Sequence, residues 1–142
     1  KGLCYALDIP LIAIDTLTIL SNQINIDKGL IIPMIDARRM EVYSAVFNSD
    51  GKKIRNVEAE ILTEDSYKSY DEMLHFIGDS NEKAKTVLTS SNFVFHDSVV
   101  FPSANEMSIL SYKKYQINDF EDVAYFEPYY LKDFFITSKK TI

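Results

Sequence analysis

The sequence is poor in several residue types on which common classes of protein depend. It contains no tryptophan, one cysteine, two histidines, four glycines and four prolines. The single cysteine, Cys4, cannot form an internal disulfide, which is typical of chains from reducing compartments. The histidines, His75 and His96, have no partner at a metal-ligand spacing such as His-x-x-x-His. We therefore expect a cytoplasmic protein without a disulfide and without a metal site of its own.

Long apolar runs and an excess of positive charge are also lacking. No run reaches the roughly 18 residues needed to span a membrane, so no membrane association is expected. The chain has 15 Lys and Arg against 21 Asp and Glu, which gives a formal charge of −6. Because nucleic-acid backbones are held by Lys and Arg that neutralise phosphates, an acidic chain is a poor candidate for binding one by itself. Only a small local basic patch is compatible with this composition.

What the chain does have is enough apolar residues for one ordinary domain. It has 142 residues, 46% of them hydrophobic, with nine tyrosines and nine phenylalanines. It lacks an initiating methionine and begins as if partway through a helix, so we expect a fragment of a longer protein. Residues 1–29 follow a helix–strand–helix pattern, with the strand at 11–14, which is too small to close a domain. A polar break over 25–29 separates them from the rest.

A hairpin with a charged tip organises the chain after that break. Residues 30–35 and 42–47 are rich in apolar and β-branched residues, as buried strands are, and a short charged turn joins them. Alternating polarity over 54–62 predicts a third, half-buried strand. The remaining pattern predicts a helix at 63–71, a strand at 73–77, a helix at 81–88, short strands within 94–101 and a helix from Ser103 to Tyr115. The last helix is predicted to begin with a Ser103–Glu106 capping box and to bury Met107, Ile109 and Leu110.

The order of these elements predicts the fold class. After residue 29 it is β-β-β-α-β-α-β-α, which gives an α/β protein with a mixed sheet and helices on its faces. This is the order of the ribonuclease-H-like fold, one lobe of the actin-like (ASKHA) proteins. We therefore predict that 1–29 ends a truncated N-terminal actin-like lobe, that 30–136 is a C-terminal ribonuclease-H-like lobe, and that 137–142 is a loose tail.

Two aspartates are the candidates for metal chemistry. Asp36 ends the first predicted strand and Asp79 ends the fourth, and in this fold those strand ends come close. Two carboxylates there could hold Mg²⁺ for phosphoryl transfer, because hard cations prefer oxygen ligands. The alternative is structural: Asp36 pairs with Arg38 or Arg39 at the hairpin tip, and Asp79 caps the next helix. The structural alternative is favoured, since no third acid is placed to complete a nuclease site.

Two further groups are candidates for binding anions. Gly78-Asp79-Ser80 could approach a phosphate at a helix start, although nucleotide loops usually contain more than one glycine. Arg38 and Arg39 could contact an anion, and the alternative is a solvated or ion-paired turn. The aromatic segment 125–130 could stack on bases, but in an acidic chain it is expected to pack on the domain or on a partner.

Several segments resemble the bacterial TsaB (YeaZ) family. Asp36-Ala37-Arg38-Arg39-x-Glu41-Val42-Tyr43 is similar to the "DARRGEVY" hairpin of that family. Residues 1–11 resemble its "AKGLALALGIPL" segment, Gly78-Asp79 lies where the family has Gly-Asp-Gly, and residues 128–132 resemble its C-terminal "P-x-Y-L-R". The sequence differs from the family at Met40 and Ser80, where the usual residue is glycine, which weakens any phosphate-loop interpretation.

The resemblance implies a function. TsaB-like proteins are two-lobed, actin-like relatives of TsaD, once described as glycoproteases, and are regarded as lacking catalytic activity of their own. They bind TsaD and, with TsaE, help it to transfer a threonylcarbamoyl group to the adenosine beside the anticodon of tRNA. The resemblance thus implies a non-catalytic scaffold subunit that has no cofactor, contacts tRNA only indirectly, and leaves ATP and metal to its partner subunits.

Two alternative functions stay open at this point, and a separate expectation concerns self-association. A metal-dependent phosphoryl-transfer or nuclease domain would use Asp36 and Asp79. A protease would need a metal cluster or nucleophile for which the sequence has no local signature. A homodimer is expected if the apolar segment 11–14 lacks sheet neighbours, because exposed strands pair with other copies.

Overall fold

The computed structural model describes residues 1–132. The predicted tail at 137–142 and the last residues of the predicted second lobe, 133–136, lie outside this range. The helices of the described residues are α1 (Gly2–Leu7), α2 (Thr16–Ser21), α3 (Asn81–Ala84) and α4 (Ala104–Gln116). The strands are β1 (Leu30–Asp36), β2 (Glu41–Asn48), β3 (Lys53–Ile61), β4 (Leu74–Gly78) and β5 (Phe93–Phe95).

The five strands form one mixed sheet in the order β3-β2-β1-β4-β5. β1, β2 and β3 pair antiparallel as a meander, whereas β4 is parallel to β1 and β5 is parallel to β4. β1 lies at the centre because Leu30 to Met34 are buried on both faces, as an apolar run without alternation predicts. The predicted α/β class and mixed sheet are confirmed.

Apolar side chains cover both faces of the sheet. We call the two sides the first face and the second face. The first face is covered by the turns after β3 and by α3, and its buried residues include Ile32, Met34, Val42, Val46, Phe76 and Leu88. The second face is covered by α2, and its buried residues are Leu17, Leu20, Ile31, Ala45, Phe47 and Ile77. Since α2 belongs to the segment 1–29 yet packs on β1, the lobe boundary at residue 29 stays a prediction.

A polar cluster lies on the first face, between β2, β3 and the turns that follow. Arg55 donates to Glu60 at 2.6 Å and to the buried hydroxyl of Ser44 at 2.7 Å. Tyr67 donates to the same Glu60 oxygen, and its ring lies 5.2 Å below the Arg55 guanidinium. Burial, followed by the charge of Glu60, raises the pKa of Tyr67 well above its ordinary value near 10. The phenol therefore stays protonated and donates its hydrogen to the carboxylate.

This cluster explains why the predicted helix at 63–71 is wrong. The segment forms consecutive turns instead, and Tyr67 adopts a left-handed conformation with φ 65°. A residue with positive φ interrupts an α-helix. The conformation places the Tyr67 hydroxyl within hydrogen-bond distance of Ser44 and Glu60. The buried hydrogen bonds, which a helical pattern does not reveal, decide the structure here.

Other predicted elements also differ from the structure, and the helix predicted at 81–88 is reduced to Asn81–Ala84. The predicted strand at 11–14 is reduced to one isolated bridge, between Leu11 and Glu121. Helix α4 begins where predicted, and Ser103 caps it by accepting from the Asn105 amide at 3.1 Å, while the Glu106 carboxylate accepts from the Asn105 side chain. However, α4 buries none of its residues, and Met107 and Ile109 are half exposed, so the predicted packing of those two is wrong. Among residues 1–132, no helix has the length and apolarity that crossing a bilayer requires.

The two histidines form a pair that joins the start of β4 to the residue after β5. His75 Nδ1 and His96 Nε2 are 2.9 Å apart, so one nitrogen donates and the other accepts. Burial, followed by the charge of His96, lowers the pKa of His75 below its ordinary 6.5, against a smaller opposite effect of the Lys28 backbone. His75 is therefore favoured in its neutral form in the folded protein.

The protein is expected to lose stability as pH falls below 6.5. The pKa of a histidine such as His75 is lower in the folded protein than in the unfolded chain. Its contribution to stability is therefore retained above the unfolded pKa and is lost as pH falls from the unfolded pKa towards the folded one. Urea unfolding at pH 7.5 and pH 5.5 measures this change in the free energy of unfolding. The variant His75→Gln is expected to flatten it, and an unchanged pH slope in that variant would contradict the assignment.

Candidate functional site

The charged hairpin between β1 and β2 holds the predicted site residues. We call residues 36–41 the hairpin tip. It is closed by hydrogen bonds from the Ala37 amide to the Glu41 carbonyl and from the Glu41 amide to the Arg38 carbonyl, both 3.1 Å. Arg38 and Arg39 are both left-handed, with φ 71° and 51°. Two consecutive non-glycine residues in this region are uncommon and costly.

Lys83, from α3, holds the hairpin tip in place. Its ammonium group donates to the Asp36 carboxylate, to the Arg39 carbonyl at 3.0 Å and to the Glu41 carbonyl at 2.6 Å. The Lys83 side chain is only 20% exposed. The hydrogen bond from Lys83 lowers the pKa of Asp36. All three hydrogens of the ammonium group are thus used at the tip.

Asp79 lies beside Asp36, as the parallel pairing of β1 and β4 requires. The carboxyl ends of the two strands meet at one edge of the sheet, and the Asp36 amide donates to Asp79 Oδ1 at 2.8 Å. Ser80 Oγ donates to the same oxygen at 3.2 Å. Gly78 makes this approach possible, because its φ is +117° and a Cβ there would overlap the Met34 carbonyl oxygen.

Both acids have structural partners, as the favoured alternative predicted, but these partners are not the predicted ones. Asp36 pairs with Lys83 and not with the side chain of Arg38 or Arg39, although the Arg38 amide approaches it at 3.3 Å. Asp79 does not cap α3, whose N-cap residue is Ser80 and makes no side-chain cap bond. Sequence reasoning missed Lys83. The signal was its position in the first turn after β4, where a helix starts beside the carboxyl end of β1.

This arrangement has a clear chemical consequence. A lysine ammonium group already binds Asp36 Oδ1, a carboxylate oxygen that the predicted metal site would need. Within residues 1–132 no three His, Cys, Asp or Glu side chains gather in a way that could hold a metal ion. The outward groups of the tip are instead the exposed side chains of Arg38 and Arg39, which make no ion pair with any described residue.

The aromatic segment near the C-terminus borders a cleft on the second face. This cleft, of about 750 Å³, lies between residues 126–132, the segment 13–17 and the sheet residues Ile35, Tyr43 and Val57. Lys132 pairs with Glu41, and its ammonium lies 6.0 Å above the Tyr43 ring. The segment therefore packs on the domain and reaches the hairpin tip, while Tyr129 and Tyr130 keep about 80% of their surface exposed.

The fold and the site together define a class of protein. The mixed sheet with a β-meander followed by parallel strands is a ribonuclease-H-like lobe of the actin-like type. The chain belongs to the family whose model is described as TsaD: tRNA N6-adenosine threonylcarbamoyltransferase, which matches residues 1–134. This match and the fold confirm the resemblance to TsaB (YeaZ), and the chain is a member of a tRNA-modification family.

Solved structures from Pseudomonas aeruginosa have the same fold. One is an uncharacterized protein with similarity to peptidase YEAZ, with a TM-score of 0.70, and another is YeaZ, with a TM-score of 0.69. Each is 20% identical, and the alignment covers 92% of this chain and 63% of the other. At this identity the likeness shows the fold alone, and this chain spans less than two thirds of either protein. No curated protein matches the sequence.

Proposed function

We propose that this chain is a non-catalytic subunit that binds a TsaD-type threonylcarbamoyltransferase. In this role it supports transfer of the threonylcarbamoyl group to the adenosine beside the anticodon of tRNA. TsaD and TsaE would be its protein partners in the cytoplasm, and ATP and metal would be bound by those subunits. Contact with tRNA would be indirect, which agrees with the formal charge of −6.

The observation that carries this proposal is the position of Lys83. Phosphoryl transfer by two carboxylates needs a divalent cation between them and the substrate. Here the ammonium group of Lys83 neutralises Asp36, and its remaining hydrogens are bound by two backbone carbonyls. A divalent ion at Asp36 would have to displace a group with three hydrogen bonds. The most suitable acid pair of the described residues is therefore used to hold the hairpin.

A second candidate function follows from the same pair of acids. The Asp79 carboxylate lies against the Asp36 amide, so the two residues that a metal-dependent phosphoryl transferase or nuclease would use are neighbours. This candidate is weaker because it needs Lys83 to move away and because no third acid among residues 1–132 joins the pair in a cluster that could hold a metal. It predicts that Mg²⁺ or Mn²⁺ binds to the isolated chain and that ATP or RNA is hydrolysed.

Substitution of the two acids separates these functions. We expect Asp36→Asn and Asp79→Asn to leave threonylcarbamoyl transfer by the reconstituted complex within about twofold of the native rate, because neither carboxylate takes part in the reaction. Transfer is measured as incorporation of labelled threonine into tRNA, with this chain or its variants added to the other subunits. Lys85→Ala, at an exposed lysine that pairs with Asp97, serves as the matched control.

The non-catalytic assignment and the scaffold role can each be overturned by a specific result. A hundredfold loss of transfer with Asp79→Asn, in a protein whose circular dichroism and association with TsaD are unchanged, would overturn the non-catalytic assignment. Co-purification with TsaD is the direct measurement of the partner, and failure to associate would overturn the scaffold role. Saturable Mn²⁺ binding together with hydrolysis of ATP or RNA, abolished by Asp36→Asn, would establish the second candidate.

A further inference from the structure

The backbone conformation of the hairpin tip is costly for the two arginines that occupy it. Asparagine and glycine adopt positive φ readily, whereas arginine does so at a cost, and Arg38 and Arg39 do so consecutively. A hairpin turn of this length can be formed by asparagine and glycine, which adopt positive φ without that cost. Strain that persists at an exposed turn is a sign that the side chains there are used.

The tip is also fixed more firmly than a free hairpin end. Lys83 binds its backbone at the carbonyls of Arg39 and Glu41, and Asp79 binds the amide of Asp36. Lys132 binds the Glu41 carboxylate from the other side. Two separate parts of the chain, residues 79–83 and Lys132, therefore hold the turn. Its two outward side chains are presented from a fixed backbone, which reduces the entropy lost when they bind.

The charge at the tip is distributed unevenly. The acids of the tip, Asp36 and Glu41, are each paired with a lysine, Lys83 and Lys132. The two guanidinium groups are exposed and form no ion pair with residues 1–132. Two positive charges, each on a fork of N–H donors, thus project from an otherwise acidic chain.

We propose that the hairpin tip is a docking point for a carboxylate-bearing segment of a partner protein, which Arg38 and Arg39 bind through paired hydrogen bonds. Guanidinium groups bind carboxylates through two parallel N–H···O bonds, and such pairs give specificity as well as attraction. A polyanion such as RNA fits this site less well, because its many phosphates would face the acidic remainder of the chain. The proposal rests on the proposed function only in that it assumes a protein partner.

Two short probes test the proposal without any assumption about the partner's identity. Hexaglutamate and a single-stranded oligouridylate of equal charge are titrated into the ¹⁵N-labelled 142-residue chain, and amide shifts are followed by NMR. At about 25 mM salt hexaglutamate is expected to shift the amides of residues 36–41, and at about 150 mM salt its affinity should fall several-fold because the pairs are exposed. The oligouridylate is expected to bind at least about tenfold more weakly.

The decisive variant removes both the charges and the strain. Arg38→Asn combined with Arg39→Gly should raise Tm by about 5 °C, since asparagine and glycine tolerate positive φ. The same double variant should bind hexaglutamate at least about tenfold more weakly. A merely structural role of the arginines does not predict higher stability together with lost binding. Lys52→Ala combined with Lys68→Ala removes the same number of charges elsewhere and is expected to leave the shifts unchanged.

Three results would overturn the proposal. Hexaglutamate could leave the hairpin-tip amides unmoved, or the double variant at positions 38 and 39 could bind it as well as the native chain does. Tighter binding of the oligouridylate at the same amides would assign the tip to RNA instead. None of these results depends on association with TsaD, so they can be distinguished from a failure of the scaffold role.

Discussion

Alanine at Gly78 is expected to destabilise the protein by about 3–5 kcal/mol. Gly78 ends β4 at the place where it pairs with β1, with φ +117°, a conformation that alanine rarely adopts. A Cβ atom would also overlap the Met34 carbonyl oxygen and lie 3.0 Å from its carbon, and both belong to the central strand. Strain and overlap act together, so the strand pair must shift. Chemical denaturation measures the loss as a lower transition midpoint.

Gly51 provides a matched control for this substitution. It also has positive φ, +76°, but a Cβ there meets no atom within 4 Å. Gly51→Ala therefore carries only the conformational cost, about 1 kcal/mol. Equal losses for the two variants would show that overlap with β1 has no role. A Gly78→Ala protein as stable as the native one would contradict the backbone geometry at the site itself.

Replacement of Arg55 by methionine is expected to cost about 2–3 kcal/mol. The substitution keeps an apolar side chain of similar length but leaves the Glu60 carboxylate without its ion-pair partner. Glu60 is only 21% exposed, so water compensates for the lost partner poorly. The hydrogen bonds from Tyr67 and Ser44 remain and limit the loss. Urea unfolding at neutral pH measures the effect.

A second substitution tests whether the loss comes from the unpaired charge. Arg55→Met combined with Glu60→Gln removes the charge and keeps an oxygen that can accept from Tyr67, so it should be at least about 1 kcal/mol more stable than Arg55→Met alone. Lys68→Met, at an exposed pair with Asp65, is the control and is expected to leave the free energy of unfolding unchanged within experimental error. Simple additivity of the two substitutions at positions 55 and 60 would argue against the cluster as a unit.

The sequence predicted the sheet well because its strands are defined by local pattern. The apolar run at 30–35 and the β-rich run at 42–47 correspond to β1 and β2, and the alternation at 54–62 corresponds to β3. In such segments the residues that favour a strand are also the residues that the core buries. Local and tertiary preferences agree there, so a pattern of a few residues is sufficient.

The predictions were wrong or incomplete where contacts between residues far apart in the sequence decide the structure. The turns at 64–69 replace a helix because Tyr67 is drawn to Glu60 and Ser44. Lys83 was not singled out because its three acceptors come from a hairpin more than 40 residues away. The acids Asp36 and Asp79 could be placed together from the order of strands alone, but the group that holds them could not.

The mixed pairing of β1 has a consequence for the order in which the chain folds. Its antiparallel neighbour β2 follows after a short turn, whereas its parallel neighbour β4 is almost 40 residues away. Loop-closure entropy makes the distant pairing the slower one, so we expect the three-stranded meander to form first and β4 and β5 to join it later. Until that step, one edge of the most apolar strand is unpaired. The nascent chain is then most exposed to intermolecular strand addition.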